Sequence, residues 1–231
     1  MKDKPEFNVF VFSLPRCGSS MMTGIIEQLG VNMVYTSEDE AEVARRKENY
    51  QKRLGKYVPN ESFYEITQNQ WECWQKVCET PYAGCKVIIP VNGMRWEAVV
   101  SKPAKVIMMR RDPEEIRQSQ EAFYKKARVP MPGEDDDPAE MARAYLRTMI
   151  AQTEVMLQTR KDASNNARFG NGDVPPFDFM VVDYRSVLEE TEKKIGEVAR
   201  FIEAPNDIWN AVHTVDPSKI RFKGEELDED I

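Results

Sequence analysis

The stretch that most restricts what this chain can fold into is residues 9–30, VFVFSLPRCGSSMMTGIIEQLG. It opens on four apolar residues, 9–12, the pattern of a strand buried on both faces within a parallel sheet. A tight segment from Ser13 to Ser20 follows. Then comes a helix whose Met21, Met22, Ile25, Ile26 and Leu29 share one face, with Gly30 where a left-handed residue would end it. Strand, glycine-containing turn and helix start together aim unpaired backbone N–H groups at an anion. Gly18 permits close approach, Arg16 supplies a fixed charge, and Ser19 and Ser20 supply hydroxyl donors. The segment reads as a phosphate cradle. It lacks the G-x-x-x-x-G-K-[ST] pattern, having one glycine with an arginine before it. The plainer alternative is a strand–turn–helix in which Ser19 only caps the helix.

A second cationic turn lies further along. Residues 105–109, KVIMM, read as a strand that runs at once into Arg110 and Arg111. A helix start follows, with Asp112 as N-cap, Pro113 at N1, and Glu114 and Glu115 as first-turn acids facing the helix dipole. That helix carries Ile116, Ser119 and Phe123. Further strands are expected at 86–89, ended by Pro90, and at 179–184, the latter followed by one helix burying Val187, Leu188, Ile195, Val198, Phe201 and Ile202.

Between these elements the sequence predicts a short extended piece at 31–35 and a helix starting at Ser37, whose charge run over 41–56 reads as a solvated face. A helix over 67–79 would turn its tryptophans inward, and another short one is expected near 208–213. The proline-rich acidic stretch 129–138 predicts a mobile loop, residues 141–157 a long amphipathic helix, and 164–176 a loop. Alternating apolar strands and amphipathic helices predict an α/β fold with a mostly parallel sheet, as a single domain over 1–231. In such a sheet ligands bind beyond the carboxyl ends of the strands. Arg16 to Ser20 and Arg110–Arg111 would then share one rim, which suits a ligand with phosphate at two places.

Several function classes fall away on composition. No run of eighteen apolar residues offers a membrane span. The N-terminal residues 1–6 lead straight into the first strand without room for a signal peptide, so a cytoplasmic location is expected. Cys17, Cys73, Cys78 and Cys85 make no convincing disulfide or zinc framework, and His213 is the single histidine, which excludes histidine-based metal catalysis. A net charge of −7 argues against general nucleic-acid binding.

These residues resemble the P-loop sulfotransferase family, which takes a sulfuryl group from 3′-phosphoadenosine-5′-phosphosulfate. The family's 5′-phosphosulfate loop is similar to Leu14-Pro15-Arg16-Cys17-Gly18-Ser19-Ser20. Its 3′-phosphate motif, an arginine at a strand end and a serine eight residues on, is matched by Arg111 and Ser119. The family's Y-E-D-L … F-L-G segment resembles Asp183-Tyr184-Arg185-Ser186-Val187, continuing to Phe201-Ile202. Val215-Asp216-Pro217-Ser218 with Arg221 resembles the C-terminal segment of a bacterial branch, as Asn60 to Glu65 does its N-P-x-G-[FY]-[FY]-E stretch.

The resemblance implies a P-loop-containing three-layer fold. It also implies a cytoplasmic enzyme that uses the phosphosulfate donor and releases adenosine 3′,5′-bisphosphate, without a metal. Cys17, Gly18, Ser19 and Ser20, with Arg16, would hold the 5′ end. Arg111 and Ser119 would hold the 3′-phosphate, Tyr184 would lie near the adenine, and Arg221 and Lys223 would close over the nucleotide. The acceptor would be a small molecule or glycan presenting a hydroxyl or amine, in a pocket shaped by an insert over roughly 31–82 and by the 129–138 loop.

The departures bear on catalysis. Many cytosolic members carry Lys-Thr-His-Leu-Pro, whose histidine is the general base. The comparable stretch here is Lys86-Val87-Ile88-Ile89-Pro90, with Ile88 at the base position. Lys86 and Arg16 stand as catalytic candidates, with Glu38 as the carboxylate base used by other branches; Glu38 is equally readable as a helix-start acid. His213 reads as a structural or surface residue, and Trp71, Trp74, Phe63 and Tyr64 as either core or acceptor cleft. Two other classes remain open at this level. One is a P-loop kinase with Asp183 toward Mg²⁺, and the other is a nucleotide-binding protein that has lost its base.

Overall fold

The computed structural model describes residues 6–34, 71–88, 103–127, 147 and 177–215. The helix expected from Ser37, most of the 31–82 insert, the 129–138 loop, the amphipathic helix over 141–157 and the 164–176 loop lie outside these residues. So do Glu38, Phe63, Tyr64, Arg221 and Lys223.

Five strands carry the fold: β1 (Asn8–Ser13), β2 (Asn32–Met33), β3 (Ala83–Ile88), β4 (Ala104–Arg110) and β5 (Phe177–Asp183). They lie in the order β2-β3-β1-β4-β5, and every pairing among them is parallel. The helices are α1 (Ser19–Gln28), α2 (Trp71–Glu79), α3 (Pro113–Ala127), α4 (Tyr184–Glu189), α5 (Thr191–Phe201) and α6 (Trp209–His213). The α/β class and parallel sheet are those expected from the alternation of strands and helices.

The central strand, β1, has neighbours on both edges, and all six of its residues are buried. That is why its sequence is apolar without alternation. Phe10 and Phe12 are fully buried, and the Trp74 ring stacks on Phe10 with centroids 6.3 Å apart. Burying such a side chain contributes about 1.5–3 kcal/mol. Trp74 is therefore core. From α1, Met22, Ile25, Ile26 and Leu29 are fully buried, as the helical spacing predicts.

Three boundaries differ from the sequence reading. β3 begins at Ala83 rather than 86, since Ala83 and Gly84 already pair with β2; Gly84 is packed against Val31 and Met33, where a Cβ would lie 2.6 Å from Val31 Cγ1. The glycine hides the strand from an apolar pattern. β5 begins at Phe177 and stops at Asp183, so Tyr184 opens α4 instead of ending a strand. The cause is Asp183, whose Oδ1 accepts from the Ser186 N–H at 3.2 Å and caps the helix. The single helix expected after it is two, broken at Glu190, which takes φ −122° and ψ 44°.

Candidate active site at the rim of the sheet

The register puts the two cationic turns side by side. Ser13, at the end of β1, pairs with Met109 on β4 and with Ile88 on β3. The chain leaving β1 and the chain leaving β4 therefore emerge next to each other, on the edge where parallel sheets bind ligands.

The β1–α1 turn is built on two left-handed residues, Arg16 at φ 70° and Gly18 at φ 85°. Gly18 is the N-cap of α1 with no side-chain cap bond, and the Met22 N–H returns to its carbonyl at 3.1 Å. Ser19 is thus the first helical residue and not a cap, which corrects the plainer reading of this turn. A left-handed arginine costs about 1–3 kcal/mol and persists only when its surroundings fix it. Here Arg111 does so: its Nη1 donates to the Arg16 carbonyl at 3.0 Å. The Arg16 Nε donates to Ser119 Oγ at 3.1 Å, and its guanidinium lies 5.2 Å from the Phe123 ring centre.

Arg111 is buried and gripped on three sides. Its Nε donates to Glu115 Oε2 at 2.8 Å, and its guanidinium stacks 4.3 Å from the Tyr184 ring centre. Nη2 has no partner among the described residues. Glu115 binds a second arginine through Oε1, Arg185 of α4. Burial alone would push the Glu115 carboxyl up. The bonds from Arg111 and Arg185, together with their charges, outweigh burial and hold the group below the ordinary glutamate value.

Tyr184 faces the turn as well as Arg111. A Cβ on Gly18 would sit 2.3 Å from Tyr184 Cδ2, so only glycine leaves room for that ring. Lys86, buried two residues before the end of β3, reaches Ser20 Oγ at 3.4 Å. Cys17 turns its thiol into the core and gives its N–H to the Leu14 carbonyl at 3.3 Å. Burial pushes that thiol up to about 12, against the opposing effects of the Arg111 charge and a Leu14 backbone hydrogen bond to the thiol. Within the turn the Cys17 N–H is spent on the Leu14 carbonyl, and its thiol packs in the core.

A family model described as the sulfotransferase domain matches residues 6–220. The chain belongs to the sulfotransferase family. No curated protein sequence matches it. Among solved structures it is similar to the sulfotransferase domain of a Synechococcus olefin synthase, at 14% identity and TM-score 0.43, over 92% of this chain and 78% of that one. It is similar to a mouse sulfotransferase complexed with PAP, at 12% identity and TM-score 0.45, over 92% and 66% of the two chains. A shikimate kinase from Bacteroides thetaiotaomicron gives 8% and 0.44, over 85% and 98%. At such scores these likenesses do not separate transferase from kinase, whereas the family model does.

In this sulfotransferase, Arg16, Gly18, Ser19, Ser20, Lys86, Arg111, Ser119 and Tyr184 lie in one connected neighbourhood. Glu38, Arg221 and Lys223 are outside the described residues. His213 is exposed, its Nδ1 2.8 Å from the Trp209 carbonyl and its ring against that indole. The sequence reading missed Glu115 and Arg185. Glu115 was expected to face the helix dipole, yet its spacing of four from Arg111 was the available signal. No local signal marks Arg185.

Proposed function

We propose that this sulfotransferase moves a sulfuryl group from 3′-phosphoadenosine-5′-phosphosulfate to a hydroxyl or amine of a small-molecule or glycan acceptor, within a single domain. The observation that carries this reading is the bridge between the two strand ends. Arg16 bonds Ser119, and Arg111 bonds the backbone of Arg16. The donor set suits a doubly phosphorylated adenosine: one cationic turn with a helix start, a second arginine whose Nη2 has no partner among the described residues, and the Tyr184 ring packed against Gly18 beside both.

When bound, the nucleotide supplies the activated sulfuryl group. The N–H groups of Gly18, Ser19 and Ser20 hold its 5′-phosphate, as helix starts hold anions. Arg16 and Lys86 face the oxygens where charge grows, and such fixed donors stabilise a transition state more than a ground state. Arg111 and Ser119 grip the 3′-phosphate, and the Tyr184 ring borders the adenine. Arg221 and Lys223 close over the nucleotide, and Glu38 takes the acceptor's proton.

The kinase reading loses support at Asp183. Its Oδ1 caps α4, and its Oδ2 faces Arg110 Nε at 3.6 Å, so both oxygens already have partners within the chain. Ile88, at the end of β3 and without a proton acceptor, favours a second reading, that of a nucleotide-binding protein without turnover. Isothermal titration with adenosine 3′,5′-bisphosphate against ATP–Mg²⁺ tests the class. Low-micromolar binding of the bisphosphate and none of ATP–Mg²⁺ is expected; the reverse order overturns the proposal. Release of the bisphosphate from the phosphosulfate donor on addition of acceptors separates turnover from binding alone.

A further inference from the structure

Among the described residues, Glu115 is the one acid that is almost wholly buried, with its side chain 8% exposed. Its two oxygens divide between two arginines from different elements: Oε2 takes Arg111 Nε, where β4 runs into α3, and Oε1 takes Arg185 on α4. A buried carboxylate is costly unless paired and hydrogen-bonded, and here both conditions are met. The preceding residue of α4, Tyr184, covers the face of the same Arg111 guanidinium. Arg111 thus has one edge on Glu115, one face on Tyr184, and Nη1 on the Arg16 carbonyl.

We infer that Glu115 is a positioning residue for the 3′-phosphate site, holding Arg111 so that its remaining edge faces the ligand while Nη1 pins the β1–α1 turn. Arginine loses less on binding when its planar fork is already held, because its rotamer freedom has been given up in folding. A carboxylate on Nε fixes the plane of the fork and leaves the Nη groups to point elsewhere. Arg185 balances the second oxygen. With one carboxylate between two guanidinium groups the cluster keeps a net positive charge, so it neutralises no more of the phosphate-attracting field than it must.

This inference rests on the sulfotransferase reading above, and the test separates the two. Adenosine 3′,5′-bisphosphate and 5′-AMP are titrated by calorimetry into wild type, Glu115→Gln, Glu115→Asp, Arg111→Ala and the double variant Arg111→Ala/Glu115→Gln. Glu115→Gln is expected to weaken the bisphosphate about tenfold, the equivalent of one charge-assisted bond, and 5′-AMP less than about twofold. Glu115→Asp, which keeps the charge on a shorter arm, falls between wild type and Glu115→Gln. In the Arg111→Ala background, Glu115→Gln has no further effect on the bisphosphate. Equal losses for the two nucleotides, or losses that add to that of Arg111→Ala, would reduce Glu115 to a structural residue and overturn the inference. If Glu115→Gln does not fold, Glu115→Asp read against the same two ligands decides it. Wild type failing to bind the bisphosphate would instead strike the sulfotransferase reading.

Discussion

Arg16 and Ser119, which stand 103 residues apart in the chain, meet through a hydrogen bond of 3.1 Å between Nε and Oγ. One belongs to the turn after β1 and the other to the second turn of α3. Parallel pairing of β1 with β4 brings their ends together. The bond therefore reports the spacing between the two cationic turns, and a ligand spanning them would replace it with bonds of its own.

That spacing predicts a selective effect at Arg111. Arg111→Ala removes a charged donor worth about 1.5–3 kcal/mol when well placed. Affinity for adenosine 3′,5′-bisphosphate should fall roughly ten- to hundredfold, and 5′-AMP should lose far less. Ser119→Ala should act in the same direction with a smaller loss, of order tenfold or below. Calorimetric titration of both nucleotides measures it, and equal losses for the two would place Arg111 outside the 3′ site.

At Gly18 an alanine meets two obstacles, a left-handed φ of 85° and the Tyr184 ring 2.3 Å from its Cβ. The backbone penalty alone is about 1–2 kcal/mol. Gly18→Ala should lower the melting temperature by roughly 2–8 °C for a chain of this size and abolish nucleotide binding. Unchanged melting with intact binding would show the turn to be differently built.

Cys17, adjacent to Gly18, should be inert. With its thiol pushed up to about 12 by burial, almost none of it is thiolate at pH 8. Iodoacetamide at that pH should label the half-buried Cys73 and Cys78 first and Cys17 only after denaturant is added, as read by peptide mass spectrometry. Because its folded value is raised, the stability this thiol contributes is complete below about pH 9 and lost as pH rises toward 12. Cys17 labelling as fast as Cys73 would contradict the buried turn.

Glu115 sets the acid side. Its folded-state value lies below the ordinary 4.5, so its contribution is present above that pH and is lost as pH falls through the lowered value. Melting temperature measured from pH 6 downward should fall more steeply in wild type than in Glu115→Gln. The exposed carboxylate of Glu190 and the half-buried one of Glu197, also lowered by lysines beside them, lie at the surface and should change this difference little. Parallel curves for the two proteins would remove Glu115 from the account.

Most of this site could be read from sequence because its parts are local. The turn after β1 combines an apolar strand, one glycine and an amphipathic helix within residues 9–30, and Asp112-Pro113 announces α3. What stayed hidden depends on contacts across the fold. Gly84 belongs to β3 because it pairs with Val9 and Met33, and it is glycine because Val31 and Met33 fill the space a side chain would need. Tyr184 starts a helix because the Asp183 carboxylate turns back on Ser186. Glu115 looked like any first-turn acid until Arg185, 70 residues away, closed on its other oxygen. Spacing within a helix is visible in a sequence; a partner supplied by a distant strand or helix is not.

The most direct measurement is a crystal structure with adenosine 3′,5′-bisphosphate bound. The 5′-phosphate should sit within hydrogen-bond distance of the Gly18, Ser19 and Ser20 N–H groups, and the 3′-phosphate should contact Arg111 and Ser119 with the Arg16–Ser119 bond opened. Density showing one phosphate in the turn and the other in solvent, with Arg111 held only by Glu115 and the Arg16 carbonyl, would contradict the two-ended grip.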